Sequence, residues 1–444
     1  MPFLSDTNHE LRTLNRYEKQ IIALTVCGAF FSCFDFTLYF FFNDAINQAF
    51  FPNANADWLG SSGFLLLILL GYISRPLGGI VLSNIGDKLG RKRIMMLSLF
   101  VVSIPTLLIS ILPTYSQIGV WALVLLMILR FIQGFGFGAE VPASWVWLAE
   151  HMPRYHIGSV CGMLIGSFIL SVLVSNILST MLSSMLTPEQ MTHIGWRIPF
   201  LIGGLGTVVA ISLRRRIAET PLWLNAQAEG KLSHGLPLKT VFQHHRFSLM
   251  MSFGLSWFTS SVVILAFLVM PQLGINFFDV SESLMSISLG IGSFFAIIGT
   301  LVFGYCVDRY NSGRIFGFGC ILLAASCLLL FAILKTGSEL LLLSYAFFGF
   351  SVGIIGIVPS ICVRLFPVEV RMSGLGFSYN VAYAITGALT PYVMIQASQV
   401  LNIASMLYMV FLSVIGVIMS LFLSNLQGLY RLEDKQTSKN VLTR

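Results

Sequence analysis

Gly86-Asp87-Lys88-Leu89-Gly90-Arg91-Lys92-Arg93 is a short acidic–glycine–basic run set between two apolar stretches. A looser version, Gly304-Tyr305-Cys306-Val307-Asp308-Arg309-Tyr310-Asn311-Ser312-Gly313-Arg314, stands between two more. Asp87 and Asp308 lie 221 positions apart in a chain of 444, so the run returns after half the sequence. A second connection also recurs, first as Glu150-His151-Met152-Pro153-Arg154 and later as Phe366-Pro367-Val368-Glu369-Val370-Arg371. Glycine allows a tight turn at such places, and charges at helix ends complement the helix dipoles. Two parallel halves of this kind, related by an axis along a membrane normal, place a site at the midplane between them.

The flanks of these runs set the class. Hydrophobic residues make up 56% of the chain and charged residues 10%, against about 25% charged in a soluble domain. A soluble protein this apolar would expose patches that drive association. In a bilayer, helices satisfy their own backbone groups and apolar side chains face lipid. Stretches near the roughly 20 residues needed to cross hydrocarbon fall at 21–43, 59–83, 94–112, 119–148, 157–181 and 197–213. The second half adds 247–272, 284–306, 314–334, 338–363, 372–397 and 402–425. This predicts an all-α membrane protein of twelve transmembrane helices. Its parts are an N-terminal cytoplasmic segment (1–20), a six-helix bundle (21–213), a cytoplasmic linker (214–246), a second bundle (247–425) and a cytoplasmic tail (426–444).

Sidedness follows from the basic residues. With the N-terminus in the cytoplasm, 22 of the 26 Lys and Arg fall on that side, Arg197 and Lys335 on the other, and Arg75 and Arg130 within spans. That asymmetry supports an even number of spans with both termini inside. The net charge of +7 is then a topology signal and gives no reason to expect nucleic acid. The first twenty residues lack the apolar core and cleavage site of a signal peptide. The seven cysteines lie in or at the ends of spans without metal spacing, so neither disulfides, a metal site nor a cofactor is expected. Gly162 and Gly166, and Gly349 and Gly353, have the small-xxx-small spacing of closely packed helices.

Gly86-Asp87-x-x-Gly90-Arg91-Lys92 resembles the signature loop of the major facilitator superfamily. Further stretches resemble its metabolite–proton symporters, carriers of citrate, ketoglutarate, shikimate and proline or betaine. These are Phe34-Asp35-Phe36 with Tyr39, Arg75-Pro76-Leu77-Gly78-Gly79, Arg130-Phe131-Ile132-Gln133-Gly134, and Gly138-Ala139-Glu140. Trp196-Arg197-Ile198-Pro199-Phe200, Glu219-Thr220-Pro221, and Tyr379-Asn380 after the 366–371 connection complete the set. The resemblance covers nearly the whole chain. It implies the major facilitator fold, a bacterial inner-membrane location, a monomer, and proton-coupled uptake of a small organic acid or zwitterion. Ser32 and Cys33 stand where the family usually has an acidic residue and an aromatic, Ala139 where it has a glycine, and Val141 where it has an aromatic. These departures cluster where the family's site would be and leave the substrate open.

A charge at the bilayer centre costs about 2.5–3.5 kcal/mol or more, so each buried one is a functional candidate. At 1.5 Å rise per residue, Asp35 and Arg130 reach a common depth, and Arg75 and Glu140 form a second depth-matched pair nearer the cytoplasm. We expect Asp35 to carry the proton: a carboxylate that alternates between isolation and a guanidinium partner can load on one side and release on the other. Protonating Asp35 would free Arg130 for an anionic substrate group. Arg75 with Glu140 reads as a gate or charge pair, and Asp87, Arg91 and Glu150 as gate and helix-end charges. Substrate-side candidates are Tyr39, Arg130, Gln133, Trp257, Tyr379, Asn380 and Tyr383, with Ser260 and Gln272 as further polar positions.

The partners expected are therefore a small organic anion or zwitterion, the proton and the lipid bilayer. Two other readings share the fold: an importer of a hydroxycarboxylate siderophore, and a proton-antiport exporter of a metabolite or drug. A catalytic constellation is absent from the sequence, as is a Walker-type phosphate loop, so neither an enzyme nor an ATP-driven pump is expected.

Overall fold

The computed structural model describes residues 13–51, 59–215, 217–232, 235–336 and 340–442, with side chains described for 13–51, 66–215, 217–232, 235–334 and 340–424. Most of the expected N-terminal segment, Arg216, and the side chains of Lys335 and of the tail lie outside these residues.

Every regular element among the described residues is helical. The first half contains α1 (Arg16–Phe41), α2 (Leu59–Leu89), α3 (Arg91–Ser110), α4 (Val120–His151), α5 (Ile157–Met185) and α6 (Arg197–Arg214). The second contains α7 (Arg246–Phe278), α8 (Glu282–Arg309), α9 (Ser312–Thr336), α10 (Leu341–Arg364), α11 (Arg371–Val400) and α12 (Ala404–Ser424). Eleven of these are long and apolar enough to cross a membrane. The remaining one, α11, is 30 residues long, and the polar residues it turns inward lower its hydropathy. The all-α architecture of two six-helix halves expected from the sequence is therefore the one observed.

Local chemistry fixes where helices begin. Asn15 caps α1 by accepting from Glu18 N while the Glu18 carboxylate accepts from Asn15 N, both at 2.8 Å. Gly90, at φ 106°, makes the turn between α2 and α3, a conformation that glycine adopts without steric cost. The expected linker is not featureless: 221–228 and 237–244 are short helices, each opened by a proline.

The halves meet along α5–α8 and α2–α11. Gly158 and Gly162 of α5 lie against the backbone of Thr300 and Gly304 in α8, leaving no room for a Cβ. Gly349 and Gly353 of α10 lie in the same way on Gly292 and Gly299 of α8. The Gly349–Gly353 spacing thus marks backbone-to-backbone contact, as Gly162 does, whereas Gly166 meets the Thr300 side chain. On the outer surface Ile104, Val209 and Leu421 are 55%, 55% and 62% exposed, the apolar face a bilayer requires.

Two ends can be told apart. The basic end carries Lys88, Lys92, Arg93 and Arg215, and α1 and α7 both start there. At the far end α1 finishes at Phe41 and α7 at Phe278.

Candidate functional site

A cavity of about 250 Å3 lies between the halves. It runs from Arg75, Tyr379 and Tyr383 to Asn43 and Gln272 at the far end, and most of its wall is aromatic or aliphatic. Arg75 is the charged side chain on that wall. Its guanidinium carbon lies 4.5 Å from the ring centre of Tyr383, 4.9 Å from Phe137, 5.3 Å from Tyr379, and 5.5 Å from Phe36 and Tyr72. Its Nε and Nη2 are buried and make no hydrogen bond within the protein. Ring faces stabilise the cation but leave the in-plane N–H groups unused. Those groups are what a carboxylate takes in a bidentate pair.

Next to the cavity, inside the first half, sits a second polar cluster. Arg130 lies flat over Tyr39 at 3.9 Å and Phe36 at 4.3 Å. It donates to Gln133 Oε1 at 2.8 Å and to Leu67 O at 3.4 Å. Gln133 donates in turn to Thr106 Oγ1 at 2.9 Å. Asp35 accepts from Thr207 Oγ1 at 3.4 Å, has Thr106 beside it, and keeps Oδ1 without a partner. Gly203 leaves room for that oxygen, where a Cβ would collide with it.

Asp35 and Arg130 therefore share a neighbourhood without an ion pair; Gln133 and Thr106 stand between them. The depth-matched pair Arg75–Glu140 is corrected outright. Arg75 is drawn into the aromatic box, and Glu140 accepts instead from Arg214 at 3.5 Å and Ser144 at 2.9 Å. Arg214, counted with the linker in the sequence, is fully buried at the end of α6. Its guanidinium also donates to Leu24 O at 3.0 Å and Thr25 O at 2.6 Å of α1.

Of the substrate-side candidates, Tyr379, Tyr383 and Gln272 line the cavity. Tyr39, Arg130 and Gln133 lie behind its wall, engaged with one another. Trp257 is turned toward α12, donating to Tyr408 Oη at 3.2 Å. Ser260 accepts from Thr386 at 2.6 Å. Asn380 ties the halves together, donating to Gly138 O of α4 at 2.6 Å across the contact with Gly79. Sequence reasoning missed Trp145, which lines the cavity edge-on to Tyr379 with its Nε1 unpaired; its place among apolar residues of α4 gave no signal.

At the basic end the gate charges assemble as one network. Glu150 accepts from Arg91 Nε at 3.2 Å and from Arg371 Nη1 at 2.9 Å, joining the first half to the second. Thr220 of the linker donates to the same carboxylate at 2.7 Å. Arg91 also pairs with Asp87 at 3.4 Å and donates to Val368 O of the second half. Asp87 accepts from Met372 N, Ser373 N and Ser373 Oγ at 3.1, 2.8 and 2.7 Å, closing the start of α11. Asp308 does the same for α5, accepting from Gly158 N and Ser159 N at 2.6 and 2.7 Å. The linker braces this assembly through Glu219, which accepts from Arg91 N and Lys92 N, and through Trp223, which donates to Asp87 O.

A site between two helical halves, shut by charges at one end, defines a secondary transporter of small organic solutes. The chain belongs to the Major Facilitator Superfamily, whose model matches residues 25–391. The ectoine/proline transporter ProP of Corynebacterium glutamicum is 29% identical, over 90% of this chain and 82% of that protein. The glycine betaine/proline/ectoine/pipecolic acid transporter OusA of Dickeya dadantii is 27% identical over 91% and 83%. The proline/betaine transporter of Salmonella typhimurium is 28% identical over 90% and 82%. The solved proton:xylose symporter XylE of the same superfamily aligns with a TM-score of 0.74 at 17% identity, covering 91% of this chain and 95% of that one.

Proposed function

We propose that the protein imports a small zwitterionic solute of the betaine or proline type together with a proton. Arg75 carries this reading: a buried guanidinium with two unused N–H groups, facing a cavity walled by aromatic rings. The solute's carboxylate would take those N–H groups. Its ammonium would then lie farther along the cavity, against ring faces such as Phe40 and Phe168, the surface that quaternary ammonium groups favour. One cation on the cavity wall suits a single carboxylate and leaves a trianion poorly neutralised. The cavity of about 250 Å3 is below the ~300–1,000 Å3 of drug-sized sites, which argues against a siderophore. The names of the relatives support the same solute class.

In this reading the basic end is cytoplasmic, in a bacterial inner membrane, as the Lys and Arg asymmetry indicates. The conformation described then faces outward, because the charge network joins the halves on the cytoplasmic side. Asp35 carries the proton. Loading it alters the Thr106–Gln133–Arg130 chain and so the position of Phe36 and Tyr39, which separate Arg130 from the cavity. The test is a thermal-shift screen of purified protein against glycine betaine, proline, ectoine, citrate and a citrate-based siderophore, since a ligand of the folded state raises apparent stability. Stabilisation by the zwitterions alone is expected; stabilisation by citrate or the siderophore alone would overturn the solute class.

A further inference from the structure

The Glu140–Arg214 pair does not line the solute cavity, yet both side chains are fully buried within the first bundle. Such charges are costly in a membrane protein and mark proton or ion routes. Their surroundings are informative. On α1, Thr25, Gly28, Ser32 and Asp35 recur at the spacing of one helix face. On α6, Gly203, Thr207 and Arg214 do the same, as do Gln133, Glu140 and Ser144 on α4. α1 packs against both α4 and α6, and the Glu140–Arg214 pair joins those two across it.

The result is a column of polar groups inside one bundle. It begins at Asp35 and Thr207, passes Ser32, and ends at Glu140 and Arg214. Arg214 lies against Gly28, seven residues from Asp35, so the two carboxyl levels are about 10 Å apart along α1. Asp35 Oδ1, Ser32 Oγ and Glu140 Oε2 are all buried and without a partner in the protein. Unsatisfied atoms in a buried polar site are the kind that hold ordered water. The other titratable side chains near the column are Cys27, Cys33 and Tyr39 of α1 and Arg130 of α4, which reaches it through Gln133 and Thr106, with Arg75 of α2 beyond Cys33.

We propose that Glu140 is a second proton-carrying group, which receives the proton from Asp35 through this column and releases it at the basic end. The inference rests on Asp35 as the primary carrier. Asp35 as a neutral acid gives up its proton and becomes a carboxylate; the Glu140 carboxylate takes it and becomes the neutral acid. Glu140 then loses it to water at the basic end as its pair with Arg214 re-forms. One proton crosses, and no other bond changes. Solute and proton thereby travel by different paths: the solute between the halves, the proton within the first half.

The experiment uses the full chain in proteoliposomes, with glycine betaine and proline as probe solutes and an entrapped pH dye. Solute counterflow and solute-coupled proton movement are read in parallel. For Glu140→Gln we expect counterflow to persist while coupled proton movement falls roughly 100-fold or more, the scale of removing a positioned acid–base group. Glu140→Asp should restore part of it. Because Glu140→Gln leaves Arg214 buried and unpaired, the double variant Glu140→Gln/Arg214→Gln is the control for folding; it should fold and remain uncoupled. Coupled proton movement at the wild-type rate in either Gln variant would overturn the relay. If Asp35→Asn is then uncoupled, the primary carrier stands and only the relay falls. If Asp35→Asn stays coupled, the carrier assignment falls with it.

Discussion

Asp87 and Asp308, half a chain apart, make the same bonds in opposite directions: Asp87 of the first half closes the start of α11, and Asp308 of the second closes the start of α5. Each carboxylate satisfies backbone N–H groups that a helix start leaves open, and meets the positive end of the dipole. The sequence repeat is therefore a repeated clasp between the halves. It ties the halves together at the basic end.

Asp87→Ala should loosen that clasp and shift the population toward a state open at the basic end. Spin labels on the starts of α3 and α11 would read this as a longer mean distance, with a smaller change for Asp308→Ala. Asp87 has a further tie, to Arg91 at 3.4 Å, and is the more deeply buried of the two. Unchanged distance distributions in both variants would contradict the gate role.

Glu150→Gln removes the carboxylate shared by Arg91 and Arg371 and leaves two guanidinium groups facing each other. Breaking a buried pair costs about 3–5 kcal/mol. The melting temperature in detergent should fall clearly, and fall less in the variant Glu150→Gln/Arg371→Gln. A drop no smaller in the double variant would argue against charge as the cause.

Arg75→Lys should weaken solute binding by about 10- to 100-fold, because a charge-assisted hydrogen bond contributes roughly 1.5–3 kcal/mol and lysine cannot offer the paired N–H groups. Titration calorimetry with glycine betaine measures it. Arg130→Lys should change binding much less, since Arg130 lies behind the cavity wall. The reverse order would return the substrate contact to Arg130.

Gly203→Val should disturb Asp35 directly, since any Cβ there meets Oδ1. Proton-coupled uptake should fall while the protein still inserts and binds solute. Wild-type coupling in this variant would mean that the carboxyl can move without penalty and that its observed setting is unimportant.

Much of the architecture was legible because hydropathy and the positive charges obey the solvent rather than any partner. Asp87 and Asp308 announced the repeat because helix starts need acceptors wherever two halves clasp. The site was legible only as an inventory. Depth along a helix placed Arg75 beside Glu140, but depth fixes one coordinate of three. Rotation about the helix axis decided the rest, turning Arg75 to the rings of Tyr379 and Tyr383 and Glu140 toward Arg214. Arg214 escaped notice because it ends a span, where a basic residue is usually a topology signal. Asn380 and Trp257 looked like ligands because polar groups in spans are rare; here Asn380 serves packing between the halves and Trp257 packing within its own half.

In the proposed function a proton gradient drives a small zwitterion inward through this site. Proteoliposomes loaded at alkaline pH and diluted into acidic buffer with labelled glycine betaine or proline put this to the test. Accumulation above the external concentration is predicted for the wild type, with loss of accumulation but retained counterflow in Asp35→Asn. Equal accumulation without the pH gradient, or unimpaired uphill uptake in Asp35→Asn, would contradict it.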